Sequence, residues 1–269
     1  MSPVNRFKSG RHLIYTVIAG DYDSLKRPLW RPQNVDYVAF VSEPEGYEAR
    51  GWRLSEVPNH GSNPRLINRK MKILGIELDN EYDSLIYIDG SIQIIGSLEH
   101  TITRFLESEN ALGLFRHDDR NSPWDELAAC NELGYLSQEE HRFEEDRLKR
   151  FEEEGIVLDL FDAGIVLKNP RQEALTQIST RWFELFIQNP VRDQLSLPIV
   201  VWEHRQDVFQ LEHWLTSCAP TFLRYPHNAA GRVIKSVFWL VSACPRPFQM
   251  IVTFARRHRR KLAEPTSLP

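Results

Sequence analysis

The first half of the chain alternates short apolar runs with segments of helical periodicity, and this alternation constrains the fold more than any other feature. β-branched apolar runs of this length are typical of buried strands, and helices are what usually joins parallel strands. We therefore predict an α/β fold with a mostly parallel sheet flanked by helices. The predicted strands are 12–19, 35–41, 52–57, 84–88, 111–115, 156–160 and 164–167, and the predicted helices are 64–78, 97–107 and 172–188.

Two segments depart from this pattern. Residues 118–154 are polar and highly charged, which predicts an exposed helical excursion over one end of the sheet. After Pro226 the composition changes to long apolar stretches broken by prolines and closed by a run of Arg and Lys. We therefore expect one domain over residues 1–228 and a basic, apolar C-terminal extension over residues 229–269.

The cysteines and the N-terminus bear on the compartment. The three cysteines, Cys130, Cys218 and Cys244, are widely spaced, which argues against a disulfide framework and against a structural zinc site. The N-terminus lacks the apolar core of a secretory signal, and no stretch is long and apolar enough for a membrane span. These features predict a cytoplasmic protein.

Charge is distributed unevenly along the chain. The chain has a formal net charge of -4, yet residues 213–263 hold nine Lys or Arg and no Asp or Glu. Residues 233–261 combine apolar side chains with cationic borders, a composition that can lie among the headgroups of an anionic membrane. A terminal helix packed on the domain, followed by a solvated basic end, explains the composition equally well. We expect no nucleic-acid partner.

Polar clusters follow several predicted strands where each strand ends. They are Asp21-Tyr22-Asp23, Asp89-Gly90-Ser91 and His117-Asp118-Asp119-Arg120. Open α/β sheets bind ligands beyond the carboxyl ends of their strands, so the clusters are expected to meet there. Each cluster alone could be an ordinary turn, because turns favour Asp and Gly.

Three other sets of polar residues each have a functional and a structural interpretation. Arg65, Arg69 and Lys72 share one face of the helix predicted at 64–78, roughly opposite its apolar seam, and could face a phosphate or solvent. Asp193, in Arg192-Asp193-Gln194, could orient or deprotonate an acceptor hydroxyl, or cap a helix. His227 could be a metal ligand or a loop histidine.

Taken in order, these segments resemble one known family. The series Tyr15 to Asp23, Asn68 to Lys72, Tyr87 to Ile92, Asp162 to Gly164 and Arg192 to Ser196 is similar to the family once called domain of unknown function 616. That family is described as glycosyltransferase-like and includes plant proteins tied to cell-wall polysaccharide. The resemblance runs from about residue 12 to residue 205 and implies a GT-A-like fold, a nucleotide-sugar donor and a glycan or lipid-linked acceptor.

The resemblance also implies roles for individual residues. Asp21, Arg69, Lys72, Asp89 and Ser91 would bind the donor and its diphosphate. On the acceptor side it implies His117, Arg120, Asp162, Gly164, Arg192 and Gln194, with Glu126 in the same histidine-led loop. Asp193 is the best candidate for an essential catalytic carboxylate.

The metal dependence implied by a GT-A-like fold stays open. In such transferases a short acidic motif holds Mn²⁺ or Mg²⁺, which neutralises the leaving diphosphate. Here Ser91, two residues after Asp89, stands in place of a second carboxylate, so Asp89 and His227 are the remaining candidate ligands.

Two alternatives to a transferase follow: a lipid amide hydrolase similar to ceramidases, and a sugar- or nucleotide-binding protein without catalysis. The hydrolase lacks sequence support, because the chain has neither H-E-x-x-H nor G-x-S-x-G.

Overall fold

The computed structural model describes residues 6–20, 23–57, 63–76, 81–211 and 221–225. These residues form seven α-helices and nine β-strands within the described part of the chain. The helices are α1 (Arg6–Ser9), α2 (Pro64–Leu74), α3 (Glu99–Glu107), α4 (Pro123–Glu132), α5 (Gln138–Glu153), α6 (Ala174–Gln188) and α7 (Asp193–Glu203). The strands are β1 (His12–Ile18), β2 (Val35–Val41), β3 (Arg53–Glu56), β4 (Ser84–Ile88), β5 (Ile92–Ile94), β6 (Leu112–Arg116), β7 (Phe161–Lys168), β8 (Val208–Leu211) and β9 (Phe222–Arg224).

Seven of these strands form one sheet in the order β3-β2-β1-β4-β7-β6-β8. The strands from β3 to β4 pair in parallel, as do β6 and β8. Strand β7 is antiparallel to both of its neighbours, β4 and β6. The predicted α/β fold with a mostly parallel sheet flanked by helices is therefore confirmed. The carboxyl ends of β1, β4 and β6 and the amino end of β7 meet at one edge of this sheet, the site edge.

The sheet is buried on both faces. Along β1, Leu13 and Tyr15 belong to the core of one face, where Trp182 of α6 is fully buried. Ile14 belongs to the core of the other face, together with Phe105 of α3. Alternation of side chains along a strand produces this division, and burial on both faces explains why the strands read as continuous apolar runs.

Three predicted elements differ from the structure. Residues 156–160 are not a strand, and Asp162 lies inside β7, because the chain leaves α5 at Gly155 with φ 72° and joins the sheet only at Phe161. Helix α2 ends at Leu74 because Gly75, at φ 94°, ends the helix. Residues 118–154 form two helices, and α5 is not wholly exposed, because Glu144 and Leu148 are buried.

Beside the main sheet, β5 and β9 form a small antiparallel pair that brings Arg224 to the site edge. The backbone N–H of Tyr225 donates to the carbonyl of Ser91, which fixes this return of the chain. In the described ranges, no helix combines the length and apolar character needed to cross a bilayer. The extension proposed for residues 229–269 lies outside the described residues.

Candidate active site

A cleft opens at the site edge between β1 and β4, where the strand order reverses. Strands β2 and β3 follow on one side of β1, and β4 lies on the other. Open α/β sheets bind their ligands at such a switch point. The cleft holds a cavity of about 580 Å³. Its floor is formed by Val17–Ala19, Asp89 and Gly90, one wall by Asn63–Arg65, Asn68 and Arg69, and the other by Tyr135, Val191 and Arg192, with Asp23 at the rim.

The first turn of α2 lines this cleft, and the residues at its start explain why the helix begins there. Asn63 caps the helix by accepting a hydrogen bond from the N–H of Arg65, and Pro64 occupies the first helical turn, where its missing N–H costs nothing. A helix N-terminus carries partial positive charge, and here Arg65 and Arg69 add two full charges. This wall therefore suits an anion.

Asp193, at the start of α7, binds two cations of α2. Its Oδ1 lies 2.8 Å from Nε of Arg69, and its Oδ2 lies 2.6 Å from Nζ of Lys72. Burial disfavours the ionised carboxylate, but the charges of Arg69 and Lys72 outweigh this effect and hold the pKa of Asp193 well below its usual range. Asp193 is therefore a carboxylate at neutral pH.

Lys72 is buried, which makes the sequence prediction for its helical face wrong. The helical face that it shares with Arg69 was expected to lie opposite the apolar seam, yet Lys72 is 1% exposed, whereas Leu74 of the predicted seam is 37% exposed. The ion pair with Asp193 compensates the buried ammonium, which makes this burial tolerable.

Asp89 lies at the floor of the cleft and connects to the same cations. Its Oδ1 accepts a hydrogen bond of 2.7 Å from the hydroxyl of Tyr87 and lies 4.0 Å from Nζ of Lys72. Burial and then the charge of Asp89 raise the pKa of Tyr87 well above its usual value, so this hydroxyl stays protonated and remains a donor. Asn68 ties α2 to the floor, because its amide donates to the carbonyl of Val17 at 2.7 Å.

A second buried carboxylate, Glu126 of α4, binds two arginines. Its Oε1 accepts from Nη2 of Arg192 at 3.0 Å, and its Oε2 lies 3.0 Å from Nε of Arg120. The Glu126 side chain has no exposed surface. Arg192 also lies over the ring of Tyr135, 5.4 Å from its centroid, as a cation–π contact.

His117, Arg120 and Glu126 lie together, in agreement with the histidine-led loop expected from the sequence. Nε2 of His117 lies 2.8 Å from Nη2 of Arg120. Burial lowers the pKa of His117, and the charge of Arg120 adds to this shift. His117 is therefore a neutral imidazole at pH 7.

A third buried carboxylate at the site edge, Asp162, forms an ion pair with Arg224 of β9, whose side chain is 41% exposed. Nη2 of Arg224 lies 2.6 Å from Oδ2 of Asp162, whose Oδ1 accepts from the N–H of Gly164 at 2.7 Å. A Cβ atom at residue 164 would lie 2.8 Å from Nη2 of Arg224 and 2.9 Å from Oδ1 of Asp162. Only glycine leaves room for this arrangement without displacing one of the partners.

A second cavity, of about 620 Å³, lies beside the cleft and shares Asp23 with it. It extends past the ends of β1 and β2 and is lined by Ser42, Glu43, Tyr47 and Glu48 among others. We refer to the two cavities together as the elongated site: three arginines and Asp89 line the end in the cleft, and Glu43, Glu48 and Arg50 line the other end.

Four other residues predicted for the site either do not line the cavity of the cleft or lie outside the described residues. Ser91 is buried beside β9, and Gln194 is buried in α7; neither lines the cavity of the cleft. Asp21 and His227 lie outside the described residues. The structure also adds site residues that the sequence analysis did not single out. Tyr87 and Asn68 stood inside segments that carried the resemblance, whereas nothing in the sequence marked Tyr135 or Arg224.

The predicted metal site rests on Asp89 and on His227, which lies outside the described residues. No group of three His, Cys, Asp or Glu side chains among them lies close enough together to hold an ion. Asp89 already accepts from Tyr87 and has the ammonium of Lys72 4.0 Å away. The cations that line the described part of the cleft are Arg65, Arg69 and Arg192.

Comparison with known proteins gives a fold neighbour and no family. The chain is similar in structure to mouse xyloside xylosyltransferase 1 in its apo form, with a TM-score of 0.45 and 11% identity over 75% of this chain and 84% of that one. At this score and identity the similarity assigns no function. No family model matches the chain, so the resemblance to the domain of unknown function 616 family is not confirmed. No curated protein matches it either.

Proposed function

We propose that this protein is a glycosyltransferase that takes a sugar from a nucleotide-sugar donor and passes it to a glycan or lipid-linked acceptor. One observation carries the proposal: the switch-point cleft joins a helix N-terminus to three guanidiniums, those of Arg65, Arg69 and Arg192. Backbone dipoles and bidentate cations of this kind suit a diphosphate.

The proposed reaction fits this charge distribution. The bond between the anomeric carbon and the diphosphate oxygen breaks, the acceptor oxygen bonds to that carbon, and the proton of the acceptor hydroxyl passes to the departing diphosphate. Negative charge develops on the departing diphosphate, where Arg69 and the N-terminus of α2 would stabilise it. Binding the leaving group more strongly as its charge grows is what accelerates such a step.

The second cavity supports a donor that carries a nucleoside. In doubly wound folds an acidic residue after the second strand bonds the ribose hydroxyls, and Glu43 lies just past β2, in this cavity. A nucleoside here and a diphosphate in the cleft would fill the elongated site in that order.

Membrane association of residues 233–261 belongs to the same proposal, because it would bring the enzyme to a lipid-linked acceptor. The basic and apolar composition of the segment supports it. The protein should then float with anionic liposomes, and truncation after Asn228 should abolish flotation. Equal flotation of the truncated protein would contradict this part of the proposal.

The test of the enzyme is release of nucleoside diphosphate, or of CMP, from a panel of UDP-, GDP- and CMP-sugars, with Mn²⁺ or Mg²⁺ present or chelated. We expect release from one nucleotide class, and Arg69→Ala should slow it by at least about tenfold, the scale of one lost charge-assisted contact. The matched control is Arg142→Ala, at an exposed position of α5, which should leave release unchanged. Donor binding without any turnover would overturn the enzyme and leave a binding protein.

A further inference from the structure

We propose that Asp193 and Glu126 are positioning residues, each a buried carboxylate that fixes one guanidinium of the cleft. Asp193 fixes Arg69, and Glu126 fixes Arg192. This inference rests on the proposed function in one respect: the ligand of the fixed guanidiniums would be a diphosphate. The two pairs adjoin each other at the start of α7, because Arg192 is the N-cap of this helix and Asp193 is its first residue, and both guanidiniums line one cavity.

Arg69 is fixed at two points and keeps donors to spare. Its Nε faces Oδ1 of Asp193 at 2.8 Å, and its Nη1 donates to Oδ1 of Asn68 at 2.6 Å. A guanidinium has five N–H donors, so these two contacts leave three N–H groups for a ligand. Since Asn68 is itself bonded to the carbonyl of Val17, Arg69 is tied to the floor of the cleft.

Arg192 is fixed in a comparable way on the opposite wall. Its Nη2 donates to Oε1 of Glu126, and its guanidinium lies over the ring of Tyr135. The other oxygen of Glu126 faces Arg120, so a single buried carboxylate compensates two arginines. The wall therefore keeps a surplus positive charge close to the cavity.

The same contacts leave neither carboxylate free to take a proton from an acceptor. Both oxygens of Asp193 face cations, and both oxygens of Glu126 face guanidiniums. Their side chains are 4% and 0% exposed, so an approaching hydroxyl would meet almost no surface of Asp193 and none of Glu126. A general base must reach the proton that it removes, and burial against two cations favours a holding role over this one for both carboxylates. This changes the role expected for Asp193 from acting on the acceptor to holding Arg69.

The experiment is arginine modification by phenylglyoxal, with rates for single residues followed by peptide mass spectrometry. In Asp193→Asn, Arg69 loses the ion pair that holds it and should react roughly tenfold faster than in the wild type, whereas Arg192 keeps Glu126 and should change much less. In Glu126→Gln, Arg192 and Arg120 should react faster by a similar factor, while Arg69 keeps its rate.

Two further arginines serve as controls in the same digest. Arg147, which is buried in an ion pair with Glu144 on α5, reports general loosening, and exposed Arg142 reports reagent activity. Rates that rise at Arg69, Arg192 and Arg147 together, or at none of them, would overturn the proposal. The two variants test the two pairs separately, so Glu126→Gln decides the matter if Asp193→Asn does not fold.

Adding inorganic pyrophosphate separates this inference from the proposed function. If the cleft binds a diphosphate, pyrophosphate should slow modification of Arg69 and Arg192 in the wild type and leave Arg142 unaffected. Absence of protection would contradict the diphosphate site of the proposed function, while the pairwise rate changes would still decide the positioning roles.

Discussion

The ammonium of Lys72 lies 2.6 Å from Oδ2 of Asp193, and the two side chains are 2% and 4% exposed. This ion pair joins α2 to α7 beneath the cleft, and Arg69 and Asp89 connect to it. Breaking a buried pair leaves an uncompensated charge, which is more costly than losing an exposed pair.

Replacing Lys72 by Met should therefore destabilise the protein while keeping most of the side-chain volume. We expect a loss of about 2–4 kcal/mol in the free energy of unfolding, since Asp193 retains only Arg69. The matched control is Lys70→Met, at an exposed position of the same helix, with an expected change within about 0.5 kcal/mol. Denaturant unfolding measures both, and equal effects of the two substitutions would show that the buried pair contributes nothing.

Gly164→Ala should disrupt the ion pair between Asp162 and Arg224. The added Cβ would lie 2.8 Å from Nη2 of Arg224, so the guanidinium must move away from Asp162. We expect about 1–3 kcal/mol of destabilisation, the usual cost of overfilling a close contact. Gly46→Ala is the control, because a Cβ there meets nothing within 4 Å. Thermal unfolding midpoints that agree between the two variants would refute the crowding described for residue 164.

Acid should destabilise the fold through His12, a buried histidine of β1. Burial lowers the pKa of His12, and its hydrogen bond to the carbonyl of Phe7 offsets this only in part. The unfolded chain binds the proton more readily than the folded one, so stability is lost as the pH falls below about 6.5, the ordinary histidine pKa. The difference in unfolding free energy between pH 7.5 and pH 5.5 should be smaller in His12→Gln than in the wild type. His117 should account for part of the difference that is left in the variant. An unchanged difference would argue against this assignment.

Cys130 should resist alkylation in the native protein. Its thiol lies in the core, where burial raises its pKa to about 11, with the charge of Glu126 adding to the shift. Because the thiolate is the reactive form, iodoacetamide at pH 7.5 should label the Cys130 peptide only after denaturation. Mass spectrometry would show this directly, and equal labelling of native and denatured protein would be inconsistent with the buried position.

The sequence predicted β1, β2, β3, β4 and β6 and the polar clusters after several of them because local patterns determine both. Asp89 and His117 each follow a strand that runs to the site edge, so the strand directions place both residues at that edge. The antiparallel direction of β7 leaves no local signature, and Asp162, which lies within β7, was left between two predicted strands.

Long-range pairing explains the other differences. Lys72 reads as a solvated helix position unless its partner is known, and that partner, Asp193, comes from a distant helix. Arg224 reaches Asp162 only because β9 pairs with β5. Burial of a charge depends on the charge that meets it, and periodicity carries no information about such a partner.

The central claim, that the cleft binds a nucleotide-sugar, is tested most directly by thermal shift. Purified protein would be screened against UDP-, GDP- and CMP-sugars with and without Mn²⁺ or Mg²⁺. A ligand that binds only the folded state raises its apparent stability, so one nucleotide class should raise the melting temperature, and Arg69→Ala should abolish the rise. Each donor would be tested up to about 1 mM, a concentration at which binding with a millimolar Kd is still detectable. If no donor changes the melting temperature, the proposed function is contradicted.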